Sequence, residues 1–151
     1  MILDKLSEFC DATSIISTTG LAHVGSAIDL GLTDRDIGNG CPLYLVIQVT
    51  TTVDSSGDGA TVEFQLVSDA SSTMAADATE TLHFSTGAIA EASLAVGWEE
   101  VYALPTGLNT TYERYLGLQT NVGTEATTAG AINAFLTMDP YGWRAYPEGN
   151  N

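Results

Sequence analysis

Two consecutive stretches alternate apolar and polar side chains with opposite phase, which narrows the chain to strand-built architectures. Over residues 43–53 the apolar side chains sit mainly at odd positions (Leu43, Leu45, Ile47, Val49, Val53). Over 60–68 they sit at even ones (Ala60, Val62, Phe64, Leu66). A period of two marks a strand with one buried face. The intervening Asp54-Ser55-Ser56-Gly57-Asp58-Gly59 favours turns. Antiparallel pairing around it sets Val53 against Ala60, Val49 against Phe64 and Ile47 against Leu66, all on one face. The pattern therefore predicts a central β-hairpin over 43–68.

The same reading predicts short strands at 14–17, 27–30, 80–84, 98–104, 112–119 and 131–138. In 80–84, Leu82 and Phe84 are expected inward and His83 outward. Residues 1–13 read as an arm, 69–78 as an exposed loop rich in Ala and Ser, and 86–96 as a short helix with Ile89, Ser93 and Val96 on one side. A polar turn is expected at 123–130 and an aromatic tail at 139–151. About eight short strands without a long helix point to an all-β fold. A single-domain, jelly-roll-like antiparallel β-sandwich over 14–138 is the expected way to cover both faces. No internal repeat suggests a propeller or solenoid.

Charge narrows the partners. The 151 residues carry 19 Asp and Glu against 4 Lys and Arg, a formal net charge of −15. Such a chain repels phosphate backbones and anionic lipid, so neither nucleic acid nor membrane is an expected partner. The first residues show no basic segment leading into an apolar run, and no stretch is long and apolar enough to span a bilayer; no export or insertion is expected. Cys10 and Cys41 would pair only on neighbouring strands, and without export they read as reduced thiols. Two cysteines with His23 and His83 do not make a metal-ligand spacing, so no metal and no cofactor is expected.

No catalytic residue stands out either. Neither histidine lies in a nucleophile motif, and Glu99-Glu100 or the pairs Asp34/Asp36 and Asp54/Asp58 are unsurprising among so many acids. The 54–59 run imitates the start of a calcium loop, but its twelfth position is Gln65 rather than a bidentate Glu. The reading is therefore not an enzyme but a protein built for contact. Tyr44, Val46 and Phe135 fall opposite the predicted core face. Together with Ile2, Leu3 and Phe9 of the arm and Tyr141, Trp143, Arg144 and Tyr146 of the tail they make a candidate interface, since aromatics and Arg concentrate at interface centres.

Several segments carry a resemblance: Met1-Ile2-Leu3-Asp4-Lys5 with Phe9, Asp11 and Ala12; Ile28-Asp29-Leu30-Gly31; and Asp36-Ile37-Gly38-Asn39-Gly40-Cys41-Pro42-Leu43-Tyr44. The likeness runs on through 46–53 and Gln65-Leu66-Val67-Ser68-Asp69. The chain resembles the Bbp16-like capsid cement proteins of tailed bacteriophages, closely in its first half and in style in its second. Cys41 stands where a small or acidic residue is expected. The resemblance implies a jelly-roll-like sandwich, made in the host cytoplasm, that sits on the outside of an icosahedral head. There it would bridge neighbouring major capsid subunits as a small homo-oligomer, a dimer in preference to a trimer. The alternative expectation is a lectin-like module at the virion surface, reading sugars through the ring of Trp98 or Trp143.

Overall fold

The alternating stretch over 43–68 crosses between two sheets; it does not fold back as a hairpin. In a computed structural model, which describes residues 5–31, 42–104 and 111–140, a one-turn 3-10 helix at Lys5–Ser7 leads into β1 (Glu8–Ser14) and β2 (Gly20–Asp29). Then come β3 (Tyr44–Ser55), β4 (Thr61–Asp69), β5 (Thr81–Ser85), β6 (Ile89–Ala90), β7 (Glu99–Ala103), β8 (Tyr115–Gly123) and β9 (Thr127–Thr137). One sheet has the order β1-β9-β3-β7 and the other β2-β8-β4-β5, with β6 beside β4. Every pairing is antiparallel. Two sheets whose successive strands alternate in this way form a jelly roll.

The expected β3–β4 hairpin is thus corrected. Val49 pairs with Ile132 and Phe64 with Thr120, each in its own sheet. Alternation fixes which face of a strand is buried, and that face is the same whether the partner lies beside it or across a core. What the two strands share is the core itself. Leu45, Ile47, Val49, Ile132 and Leu136 of the first sheet pack with Val62, Phe64, Leu66, Leu116, Leu118 and Val122 of the second. Full burial of each such side chain contributes about 1.5–3 kcal/mol before entropy is counted.

Glu125 holds the crossing closed. Its Oε1 accepts from Ser55 Oγ at 2.9 Å and from the Gly59 amide at 2.6 Å, and its carboxylate lies against Gly57, where a Cβ would come within 2.8 Å of Oε2. Hydrogen bonds to an ionised acceptor contribute more than neutral ones. Glu125→Ala is expected to cost about 1–3 kcal/mol, the range for losing charged hydrogen bonds at a partly buried site. Urea unfolding of the variant measures it, and Glu125→Gln should recover part of the loss.

Three further expectations change. The arm of 1–13 is a strand of the sandwich from Glu8 onward, held to β9 through Glu8↔Phe135, Cys10↔Ala134 and Thr13↔Ile132. In β5, Phe84 packs against the core as expected, but a register shift between Leu66 and Val67 changes the two residues before it: Leu82 is 50% exposed, whereas His83 turns in to bond Ser68. The helix expected over 86–96 shrinks to β6 and one 3-10 turn at Glu91–Ser93, and Val96 faces solvent.

Cys10 is a free thiol buried in the core. Burial is the main cause that pushes its pKa up to about 12, and a thiol without thiolate is unreactive. Native protein at pH 8 is expected to leave Cys10 unalkylated, with labelling appearing only in denaturant; mass spectrometry of the Cys10 peptide reads this directly.

Candidate functional site: one end of the sandwich

Register places many strand ends together. Tyr44 pairs with Ala103 and Thr137, and Glu8 with Phe135, in the first sheet. In the second, Tyr115 pairs with Asp29 and Asp69, and Ser68 with Thr81. Because β3 and β4 are joined at the opposite end through Ser55 and Thr61, these two sets of strand ends lie at the same end of the sandwich.

Two large apolar side chains stand in solvent here, Leu6 at 79% and Met138 at 69% exposure. Both belong to the same pair of strands, Leu6 in the 3-10 turn just before β1 and Met138 just after β9, its antiparallel partner. Lys5 and Arg114, the basic side chains of the described residues, belong to this end too. Arg114 makes a two-pronged bond to Asp29, Nε to Oδ1 at 3.0 Å and an Nη to Oδ2 at 2.9 Å, and its guanidinium lies 5.0 Å from the centre of the Tyr115 ring. The guanidinium holds the Asp29 carboxyl down at about 2. Exposed pairs of this kind add little to stability; this one fixes an orientation. Among the described residues, the opposite end carries Asp54, Asp58, Glu91 and Glu125 and no Lys or Arg.

The residues expected at an interface divide. Ile2, Leu3, Tyr141, Trp143, Arg144 and Tyr146 lie outside the described residues. Tyr44 is half-buried at this end. Phe9 and Phe135 need correction: Phe9 is 2% exposed and belongs to the core between the sheets. Phe135 does lie opposite the core face, in register with Val46, but is covered to 5% exposure, and Val46 is fully buried. A side chain already covered cannot supply new contact area. Trp98, offered as a sugar platform, is half-buried: it stacks on Phe64 with ring centres 6.1 Å apart and packs against the core, and Trp143 lies outside the described residues.

Sequence spacing does not reveal that Ser68 and His83 meet. Ser68 Oγ lies 2.7 Å from His83 Nε2 and accepts the Glu113 amide at 3.0 Å, while the imidazole stacks on Tyr112 at 3.9 Å. Ser68 is completely buried, so no carbonyl can reach its hydroxyl, and the pair ties β4, β5 and the start of β8 together. Burial lowers the pKa of His83, and of His23 on β2. A histidine that is harder to protonate folded than unfolded contributes stability above its unfolded pKa, near 6.5, and that contribution is lost as pH falls below it. Carboxylates act in a separate, lower window: Glu63, held down by Gln65, Ser85 and Asn121, contributes stability above the ordinary Glu range that is lost on further acidification. Thermal midpoints are therefore expected to fall in two steps on acidification, and His83→Asn should remove part of the upper one. A single step below pH 5 would contradict this.

No curated protein matches the chain. A scan of protein families matches residues 9–136 to Bbp16, a span that begins one residue inside β1 and ends one residue before the end of β9. With nearly the whole sandwich inside the match, the chain belongs to the Bbp16 family.

Proposed function

We propose that this protein is a capsid cement protein of a tailed bacteriophage, which binds the outer surface of the icosahedral head and bridges neighbouring major capsid subunits as a small homo-oligomer, a dimer by preference. The observation that carries the reading is the end of the sandwich described above, where exposed Leu6 and Met138 flank the paired strands β1 and β9. Exposed apolar groups gathered at one end of a domain, rather than scattered singly, mark contact sites. A chain of net charge −15 suits a shell patch of opposite sign, since complementary fields speed encounter and set register. Its charge also keeps it off packaged DNA. A ligand that binds only the assembled shell stabilises that shell by mass action.

The test is co-sedimentation with heads stripped of minor proteins, across a salt series. Binding that saturates at a fixed low-integer ratio per major subunit and weakens with salt supports cementing; absence of binding at every salt concentration rejects it. Leu6→Ser with Met138→Ser is expected to weaken binding roughly tenfold or more while leaving the thermal midpoint within a degree or two, because exposed positions contribute little to folding and central apolar contacts much to binding. Wild-type affinity in the double variant would move the contact elsewhere.

A further inference from the structure

The outer face of the second sheet holds a polar cluster that cementing does not use. His23 on β2 stands in register with Gln119 on β8, and the loop between β4 and β5 folds Met74 down beside them, where it is buried. Gly117 makes the room. A Cβ built there would come within 2.1 Å of Met74 Sδ and 2.8 Å of His23 Nε2, so the thioether and the imidazole nitrogen converge on one point above the sheet. His23 Nε2 is buried without a hydrogen-bond partner, and so is Glu80 Oε2. The Glu80 carboxylate is close enough to act electrostatically on the His23 ring, while its other oxygen is held by the Ala76 amide at 2.5 Å. Buried polar atoms normally find partners; an unpartnered imidazole nitrogen beside a thioether is a pair of donors free to take a soft ion. His23 and Met74 also line a groove with Ser26, Ser72, Thr73 and Tyr115, which supplies an entry path.

From this geometry we propose that His23 Nε2 and Met74 Sδ form a two-donor binding site for a soft monovalent metal ion of the copper(I) class. The donor chemistry selects the ion. Thioether sulfur favours copper(I) over magnesium, calcium or manganese, and imidazole tolerates it. Among the described residues no group of three His, Cys, Asp or Glu could hold a harder metal. The field of a chain with net charge −15 concentrates cations at its surface. The site is independent of capsid binding.

The experiment uses the intact protein with silver(I), a redox-inert ion of the same preference, followed by copper(I) in competition with a copper(I) chelator. The expected result is one silver per chain at this site, shifting the Met74 methyl resonance and the His23 ring protons. Affinity should fall roughly tenfold or more in His23→Asn and in Met74→Leu, the scale on which lost ligands act. Gly117→Ala should block the site by filling its cradle. An unshifted Met74 methyl in the wild-type protein overturns the proposal, even if a variant misfolds. Silver uptake that survives Met74→Leu and disappears with Cys41→Ser overturns it as well, by assigning the ion to a thiol.

Discussion

Gly25→Ala is expected to be among the most damaging single-methyl changes in the chain, costing about 3–5 kcal/mol and lowering the thermal midpoint by roughly 10 °C. Two penalties coincide. Gly25 sits in β2 with φ +71, a conformation that strains any residue with a Cβ. The added carbon would also lie 2.1 Å from the Phe9 carbonyl oxygen and 2.7 Å from Cys10 Cβ. Backbone cannot rotate away as a side chain can, so β1 and β2 would have to part where the two sheets meet at one edge of the sandwich. Gly97 separates the penalties: its φ is +88, but a Cβ there meets nothing within 4 Å. Gly97→Ala should therefore cost only the backbone term, about 1–2 kcal/mol. Equal midpoints for the two variants would show that the close approach of β1 to β2 does not matter.

Phe64→Ala should cost about 3–5 kcal/mol, the usual range for emptying a buried aromatic site. Phe64 is fully buried in β4, and its ring meets Trp98, just before β7 of the other sheet, at 6.1 Å between centres and 25° between planes. The contact therefore joins the sheets across the core, and adjoining Leu66 and Leu118 cannot collapse into the space without pulling strands from their ladders. Denaturant unfolding should show a lower midpoint with an unchanged slope, together with loss of the near-ultraviolet circular dichroism that an ordered Trp98 supplies. A loss below about 1 kcal/mol would mean that the core relaxes freely, contrary to the close packing of protein interiors.

Much of this fold is written in local pattern. The alternation in 43–53 and 60–68 identifies two strands and their buried faces, because side chains on a strand alternate whatever the strand pairs with. The glycine and aspartate run between them marks a reversal of direction for an equally local reason. From those elements, an all-β sandwich follows. The acidic balance, which disfavours phosphate partners, is likewise a property of composition alone.

Partnership is not local. Val49 and Phe64 have the same periodicity whether they are bonded neighbours or face each other across a core, and only the assembled sheets decide for the second. A single register shift in β4–β5 pairing turns His83 inward and Leu82 outward, reversing an assignment that perfect alternation requires. Phe9 and Phe135 look alike as aromatics on short strands, yet one fills the core and the other is covered on the far face. Burial depends on what packs from elsewhere in the chain. Glu125 closing the crossing, Ser68 meeting His83, and Met74 beside His23 over Gly117 all join residues remote in sequence. Charge, strand character and, in β3 and β4, the buried face are set by a residue and its near neighbours; pairing, exposure and the polar clusters depend on distances between segments that the chain brings together only on folding.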